Sequence, residues 1–374
     1  MTTEVMYAMT DGAWEQPVRW YSANGAPQPQ HVATVADTIS VAAAHRLIAE
    51  GTALLWSGDY ESARRLLAAL GRRSERRQPA LAQSPAEAFG RHRREQERRA
   101  RLLGMLLVPY GGDWMIPLRR APRVREACLH AYGPSGGPGV GSLRELLGVI
   151  GAYEWYRKGV EIPALGGERI HPHYGVFSPV RGEYVDLVAE ARLPRGATAF
   201  DIGTGTGVLS ALLARRGMRH VVATDQDARA VHCARDNIAR LGLADRIAVR
   251  HADLFPAGRA HVIVCNPPWL PGRPRTPLDQ AVYDPGSRML QRFLRGLPHH
   301  LEPGGEGWLI LSDLAERLGL RGRTELDDAV RAAGLRVLSR AVTKPSHPRA
   351  TDPSDPLHRA RVGETTSLWR LGAA

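Results

Sequence analysis

The sequence is poor in cysteine and has no long apolar run. Its three cysteines among 374 residues, Cys128, Cys233 and Cys265, are odd in number and widely spaced. They support neither a disulfide framework nor a zinc cluster, and they fit a reducing cytosol. No apolar stretch approaches the ~18–20 residues that cross a bilayer, and the first residues lack the basic and apolar regions of a signal peptide. We therefore expect a cytoplasmic protein with no membrane partner.

Lysine is also scarce, although the chain is strongly basic. The formal net charge is +12, from 50 basic and 38 acidic residues, and the only lysines are Lys158 and Lys344. Guanidinium groups match phosphate oxygens, so an arginine-rich chain suits a polyanionic partner. A coding bias or a solvated basic face explains the same charge, and charge alone leaves a nucleic-acid partner open.

Length and composition predict a folded protein of two domains. The chain exceeds the ~250–300 residues that one core usually organises. Its 43% of apolar and 24% of charged residues are ordinary for a globular protein and exclude disorder throughout. The change of pattern along the chain divides it into residues 1–165 and residues 166–374.

Residues 1–165 are predicted to form a mainly helical domain that recognises the substrate. Capping boxes at Ser84–Glu87 and Ser142–Glu145 each precede a helical stretch. Residues 60–101 contain twelve arginines and five glutamates, whereas the rest of the first 150 residues is slightly acidic. The basic charge is therefore clustered, and either a nucleic-acid contact or a solvated face accounts for it.

Residues 166–374 alternate between strand-like and helical stretches. This alternation predicts an α/β fold with a mostly parallel sheet and helices on both of its faces. The strand-like runs are TAFDIG, HVVATD, RIAVRHAD, HVIVCNPPW, GEGWLILS, LRVLSRAV and TSLWRL.

Acidic residues and glycines follow three consecutive predicted strands. Asp201-Ile-Gly-Thr-Gly-Thr-Gly207 ends the first strand, Asp225 the second and Asp253 the third. Open α/β sheets bind their ligands at this edge, and carboxylates there can accept hydrogen bonds from ribose hydroxyls and an adenine amine. The spacing G-x-G-x-x-G is not met, because Val208 stands where its last glycine belongs, and this argues against a bound pyrophosphate.

This constellation resembles the class I S-adenosylmethionine-dependent methyltransferases. The resemblance implies a Rossmann-like seven-stranded sheet with S-adenosyl-L-methionine as the cofactor. It also implies that the glycine turn holds the methionine portion of the cofactor, Asp225 the ribose and Asp253 the adenine. The cofactor-binding residues implied in this way are Asp201, Gly203, Gly205, Gly207, Asp225, Asp253, Leu254 and Asn266.

The tetrapeptide Asn266-Pro267-Pro268-Trp269 after the fourth strand is the most specific signal in the chain. An aromatic or amide nitrogen is a poor nucleophile because its lone pair is delocalised. The Asn266 side-chain carbonyl and the Pro267 backbone carbonyl can accept from its N–H groups and draw the lone pair out of conjugation. The prolines restrict the backbone and hold these acceptors rigidly, while Pro268 and Trp269 offer a surface for a planar substrate. A proline turn with a packed tryptophan is the alternative.

With this tetrapeptide the resemblance narrows to the Asn-Pro-Pro-aromatic, small-domain branch. That branch methylates exocyclic amines of nucleic-acid bases or the glutamine side chains of release factors and ribosomal proteins. The predicted catalytic residues are Asn266, Pro267 and Trp269. An RNA base, in rRNA or tRNA, is the favoured substrate, protein glutamine the close alternative and a small metabolite the third. The alternative outside enzymes is an RNA-binding module that has retained the fold.

Three further features lie near the predicted site. Tyr174 and Phe177 are candidates for covering the cofactor and binding the substrate, with core packing as the alternative. His171 and His173 lack a third ligand, and we expect no metal. The segment 344–361 is either a substrate clamp or an exposed loop.

Overall fold

The computed structural model describes residues 3–5, 18–75, 82–345 and 352–374. The chain forms two compact units, one composed of Met1–Ala82 with Gly90–Glu154, the other of Gln83–Phe89 with Trp155–Ala374.

The C-terminal unit begins earlier than the predicted boundary after residue 165. Val160, Ile162 and Leu165 are buried in its hydrophobic core. The boundary therefore lies between Glu154 and Trp155, and the C-terminal unit also includes the earlier segment Gln83–Phe89.

The N-terminal unit carries the predicted helices on a sheet that the sequence analysis missed. Its elements, with the helices that continue into the other unit, are β1 (Thr3–Val5), β2 (Val18–Tyr21), β3 (His31–Val35), α1 (Val41–Ala49), β4 (Thr52–Trp56), α2 (Tyr60–Glu75), α3 (Pro85–Gly104), β5 (Leu106–Tyr110), α4 (Arg125–Tyr132), β6 (Gly139–Ser142) and α5 (Leu143–Lys158). The six strands form one mixed sheet in the order β1-β2-β6-β5-β4-β3. The expectation of a mainly helical domain is corrected to an α/β unit.

The Ser84 cap before α3 forms as predicted, but the Glu87 carboxylate bonds the backbone N–H of the residue before Ser84 and not that of Ser84 itself. The Ser84 hydroxyl accepts from the Glu87 N–H at 3.2 Å, and the Glu87 carboxylate accepts from the Gln83 N–H at 2.7 Å. These contacts satisfy backbone donors that have no partner within the helix. At 20 residues α3 is long but highly charged. No helix in the described ranges is both long and apolar enough to cross a membrane.

The C-terminal unit is an α/β structure. Its further elements are β7 (Val160–Glu161), β8 (Arg169–Ile170), α6 (Glu183–Glu190), β9 (Thr198–Ile202), α7 (Val208–Arg215), β10 (His220–Asp225), α8 (Ala228–Arg240), β11 (Ile247–His251), β12 (Ala260–Cys265), α9 (Arg288–His300), β13 (Leu301–Ser312), α10 (Leu314–Arg317), α11 (Glu325–Ala332), β14 (Leu335–Thr343), α12 (His358–Arg361) and β15 (Thr366–Ala373).

A seven-stranded sheet organises this unit. The strand order is β11-β10-β9-β12-β13-β15-β14, and the first five strands are parallel while β15 is antiparallel to both of its neighbours. This confirms the predicted mostly parallel sheet of seven strands. The order reverses at β9, because β10 lies on one side of it and β12 on the other. Such a reversal opens a crevice for ligands at the carboxyl ends of the strands.

Apolar side chains alternate between the two faces of this sheet. Ala199 of β9 belongs to a core cluster shared with α6 and α7, whereas Phe200 belongs to a cluster shared with α9 and α11. Helices therefore cover both faces, which is why all but one residue of each of the central strands β9 and β12 are buried.

All three cysteines are free and buried. Cys128 lies in α4 of the N-terminal unit, Cys233 in α8 and Cys265 at the end of β12. Burial raises the pKa of Cys128 and of Cys233 to about 12, and it raises the pKa of Cys265 well above its ordinary value.

Candidate active site

The predicted site residues lie at the ends of four adjacent strands. The glycine turn follows β9, Asp225 ends β10, Asp253 follows β11 and Asn266 follows β12. Because these strands are parallel neighbours, their carboxyl ends meet along one edge of the sheet. The structure therefore brings the sequence-predicted residues of these four loops to one edge.

Positive φ angles shape the glycine turn. Gly203 has φ 73° and Gly205 has φ 55°, in the left-handed region that residues with a Cβ rarely adopt. The N–H groups of Gly203 and Thr204 both donate to the Thr224 carbonyl at 2.9 Å. A Cβ added to Gly205 would meet no atom within 4 Å, so the turn is open beside this residue. An open, glycine-rich turn leading into a helix allows close approach of a ligand to the backbone.

Asp201 organises this turn from inside. It is buried, and its Oδ2 accepts from the Thr204 hydroxyl at 2.7 Å and from the backbone N–H and hydroxyl of Ser210 at 3.0 and 2.6 Å. Burial raises the pKa of Asp201, while these hydrogen bonds lower it. With one oxygen engaged by three donors, Asp201 fixes the shape of the turn. Sequence reasoning identified this aspartate but not its partners Thr204 and Ser210.

Asp225 supports the same turn from the next strand. Its Oδ2 accepts from the Gly205 N–H at 3.0 Å and its Oδ1 from the Asp227 N–H at 2.9 Å. Burial raises the pKa of Asp225, and these hydrogen bonds oppose the rise. A carboxylate has about four acceptor positions, and the Gln226 N–H also interacts with this one, so a position remains for a ligand hydroxyl. This fits the ribose of the cofactor that the resemblance implies.

Leu254 and Asp253 form the next wall of the edge. Leu254 has φ 70°, a strained angle for leucine, and its carbonyl accepts from the Thr224 hydroxyl at 2.6 Å. The exposed carboxylate of Asp253 forms a double hydrogen bond with Arg292 of α9 at 2.9 and 3.1 Å. If Asp253 binds adenine as predicted, its carboxylate accepts hydrogen bonds from both the adenine amine and Arg292.

The Asn-Pro-Pro-Trp segment lies directly beside the glycine turn. Cys265 of β12 pairs with Ile202 of β9, so Asn266 and Gly203 continue from paired positions. Pro267 is buried, whereas Asn266, Pro268 and Trp269 are half-buried. The Trp269 indole N–H donates to the Asn266 side-chain oxygen at 2.9 Å. The predicted acceptor and the predicted stacking residue are thus in direct contact.

Two arginines that sequence reasoning missed hold Trp269. The guanidinium of Arg181 lies 4.9 Å from the centre of the Trp269 ring, within the range of a cation–π interaction. Arg321, which is buried, donates to the Trp269 carbonyl at 3.2 Å. Neither contact could be read from the local sequence, because Arg181 lies far before the tetrapeptide and Arg321 far after it.

Asn237 of α8 connects the glycine turn to the loop before α6. Its side-chain amide donates to the Thr206 carbonyl at 3.0 Å and to the His171 carbonyl at 3.2 Å, and its oxygen accepts from the His171 N–H at 2.7 Å. This completely buried residue therefore uses both ends of its amide. A polar residue inside the helical run RAVHCARDNIARLG was the only sequence signal.

The two histidines of this loop belong to a hydrogen-bond network. His173 Nε2 contacts Asp236 Oδ2 at 3.2 Å, and His171 Nδ1 contacts the Tyr156 carbonyl at 2.6 Å. Burial lowers the pKa of His173, and its hydrogen bond with Asp236 opposes the shift. Within the described ranges, no three His, Cys, Asp or Glu side chains are grouped so that they could hold a metal ion.

Tyr174 and Phe177 lie half-buried on the same loop. The loop is attached to α8, because Val176 packs with Ala230 and Cys233. Their contact with cofactor or substrate stays a prediction.

The predicted clamp segment is described only in part. Residues 346–351 lie outside the described residues, and the following residues include the short helix α12. Leu357 and Ala360 pack with Leu270, which directly follows Trp269. The segment thus ends next to the tetrapeptide, and its role as a clamp stays a prediction.

Comparison with known proteins gives a family match for part of the chain. Residues 168–320 match the family described as methyltransferase small domain. The match covers the glycine turn, Asp225, Asp253 and the Asn-Pro-Pro-Trp segment.

Three relatives illustrate the range of similar proteins. The chain is 36% identical over 139 residues to a release factor glutamine methyltransferase of Cereibacter sphaeroides, covering 33% of this chain and 50% of the relative. It is 35% identical over 143 residues to ribosomal RNA small subunit methyltransferase C of Alcanivorax borkumensis, covering 36% and 40%. A Methanocaldococcus jannaschii protein, provisionally named a protein N5-glutamine methyltransferase, is 30% identical over 154 residues, covering 39% of this chain and 76% of the relative. The chain thus spans half or less of the first two relatives.

Proposed function

The chain belongs to the class I S-adenosylmethionine-dependent methyltransferases, and on this premise we propose that it methylates a planar nitrogen, in first place an exocyclic amine of an RNA base. The observation that carries the proposal is the pairing of Cys265 with Ile202. It brings Asn266, the acceptor for the substrate N–H groups, beside the turn that holds the cofactor.

The residues present fit the implied cofactor. The open turn at Gly205 leaves room along the backbone, and Asp225 retains an acceptor position for a ribose hydroxyl. When bound, S-adenosyl-L-methionine supplies an electrophilic methyl group on a positively charged sulfur. Hydrogen bonds from Thr204 and Ser210 to the buried Asp201 fix the turn, so the site is largely preformed.

The Asn266 oxygen and the Pro267 carbonyl activate the substrate nitrogen. They accept from its N–H groups and hold its lone pair out of conjugation, which makes the nitrogen nucleophilic. Fixed acceptors require little reorganisation during the reaction. Correct alignment of the two reacting groups lowers the barrier further, since effective molarities of well-oriented groups are worth up to ~7–11 kcal/mol.

Exposed arginines in the N-terminal unit support RNA as the substrate. Arg72 and Arg73 of α2 and Arg94 of α3 are exposed and have no side-chain partner among the described residues. Others in the predicted cluster are neutralised locally: Arg98 bonds Glu95, and Arg101 pairs with Glu97. The guanidinium groups of Arg72, Arg73 and Arg94 suit contacts with a phosphate backbone, and such contacts would release the counterions bound to the RNA.

Protein glutamine is the second candidate. Two of the three relatives are named as glutamine methyltransferases, one of them for release factors. A glutamine amide nitrogen is planar and delocalised like the amine of a base, so the same acceptors would serve it. A small planar metabolite is the third candidate.

Label transfer tests the proposal. The purified protein is incubated with tritiated S-adenosyl-L-methionine and either total bacterial RNA or extracted ribosomal proteins with release factor. Label in RNA that ribonuclease releases supports the first candidate, whereas label that only protease releases supports glutamine. Either signal should form much more slowly with Asn266→Ala. A protein that binds the cofactor but labels no fraction, including small molecules, would be a binding module.

A further inference from the structure

Arg181 is tied into a buried cluster of acidic residues. Its Nε donates to Glu183 Oε1 at 2.8 Å and its Nη2 to Glu364 Oε1 at 3.2 Å. Both glutamates are buried, and the Ser312 hydroxyl also donates to Glu364 Oε1, at 2.7 Å. Two buried carboxylates therefore fix the guanidinium that covers the Trp269 ring.

The Trp269 indole in turn fixes the orientation of the Asn266 amide. An indole N–H can only donate, so the Asn266 atom that lies 2.9 Å away must be the oxygen. Rotating the amide by half a turn would bring two donors together. The amide oxygen has two lone pairs, and one remains for a second donor. Among the aromatic residues Phe, Tyr and Trp, only tryptophan carries a ring N–H that can make this contact.

We propose that Arg181 is a positioning residue of the methyl transfer, which acts through Trp269 to hold the Asn266 oxygen as the acceptor for the substrate N–H. Glu183 and Glu364 hold Arg181 in place over the ring. The inference rests on the proposed function, because it assigns Asn266 the role described above. In this proposal Arg181 acts only through Trp269.

The Trp269 indole resonance tests the contact without any substrate. The eight tryptophans give eight ¹⁵N-indole N–H resonances, and the one missing in Trp269→Phe belongs to Trp269. We expect this N–H to exchange slowly in the wild type. In Arg181→Gln its exchange should be at least about tenfold faster, and Arg181→Lys, which keeps a cation for the ring, should restore part of the protection. Unchanged exchange in Arg181→Gln would overturn the proposal.

The kinetic test uses as substrate whichever fraction, RNA or protein, becomes labelled in the label-transfer experiment. Arg181→Gln and Trp269→Phe should each lower kcat about tenfold or more, the scale of one hydrogen bond, and leave cofactor affinity within about twofold. If Trp269→Phe instead lowers KM or raises kcat, the indole competes with substrate for Asn266 and the positioning role is wrong. Failure of the wild type to transfer label would reject the proposed function, while the exchange measurement would still decide on the contact.

Two further variants separate positioning from stability. Removal of Arg181 leaves the buried carboxylates of Glu183 and Glu364 without a cationic partner. If Arg181→Gln fails to fold for this reason, the double variant Arg181→Gln with Glu364→Gln removes one of the two buried negative charges. Arg370 is a matched control because it makes a double hydrogen bond with the largely buried Glu306 in the same sheet. Arg370→Gln should lower the melting temperature without changing kcat or the Trp269 exchange rate. A fall in kcat for Arg370→Gln equal to that for Arg181→Gln would assign both effects to stability.

Discussion

The carboxylate of Asp225 accepts a hydrogen bond from the Gly205 N–H at 3.0 Å. Asp225 is the last residue of β10, and Gly205 lies in the turn that follows the paired strand β9. One side chain therefore both supports the glycine turn and faces the proposed cofactor site. An amide at this position can keep the first role, because its oxygen still accepts from Gly205, while it loses the charge.

Asp225→Ala should weaken the binding of S-adenosyl-L-methionine by ~1.5–3 kcal/mol, the usual value of a charge-assisted hydrogen bond. Asp225→Asn should lose less. Calorimetric titration gives both affinities. Asp227→Asn is the control, since it removes a neighbouring charge while its side-chain oxygen can still cap α8. Equal affinity of wild type and a folded Asp225→Ala variant would remove Asp225 from the site.

Asn266→Ala should lower the rate of methyl transfer at least about 100-fold, because the acceptor acts on the substrate nitrogen during the reaction. Cofactor affinity should change little. Asn266→Asp retains oxygens for the substrate and for Trp269, and it should keep more activity than the alanine variant. Single-turnover kinetics with pre-bound cofactor measures the step. A near-normal rate for Asn266→Ala would refute the mechanism.

Replacing Arg72, Arg73 and Arg94 by Gln should reduce the salt dependence of RNA binding. Each lost phosphate contact changes the slope of log affinity against log salt by about 0.7 to 0.9. The control replaces Arg64, Arg98 and Arg101, which are already paired with glutamates. Fluorescence anisotropy at several salt concentrations gives the slopes. Identical slopes for wild type and the first variant would leave these arginines as a solvated face and favour protein glutamine.

Acidification should destabilise the C-terminal unit through His173. Burial lowers the pKa of His173 in the folded protein, although Asp236 opposes this shift, and His232 and Arg240 add to it. As the pH falls through ~6.5, the unfolded chain binds a proton that the folded chain does not yet bind, so stability decreases on acidification until the pH reaches the lower folded-state pKa. Between pH 7.5 and 5.5 the melting temperature of His173→Gln should decrease less than that of the wild type. The melting temperature of the control His31→Gln, in the N-terminal unit, should decrease as much as that of the wild type. A parallel loss in His173→Gln would exclude this cause.

The strand-end residues were predictable because each follows a strand-like run. Asp201, Asp225 and Asn266 come directly after or at the end of β-rich segments, and parallel strands bring such positions together. The local sequence contained no information on Arg181 and Glu364, which are 183 residues apart and meet only in the folded chain. The positions of residues in local motifs were therefore predictable, and the long-range contacts between them were not.

The N-terminal sheet was missed because its strands are short and one is rich in glycine. β6 has the sequence GVGS, which suggests a loop. In the structure, a Cβ at Gly139 would lie 2.5 Å from the Tyr21 ring, and one at Gly141 would lie 2.9 Å from the Tyr110 ring. Glycine in this strand makes room for aromatic rings of neighbouring strands, a requirement that appears only when the strands are paired.

Because the three thiols are buried, their rates of alkylation can report how often the surrounding structure opens. A thiol with a raised pKa that is shielded from solvent reacts with an alkylating reagent only after the surrounding fold has opened. Cys128 records openings of the N-terminal unit, and Cys265, one residue before Asn266, records those at the centre of the large sheet. A single mass-spectrometric time course of alkylation can thus follow local opening of both units in the same molecule.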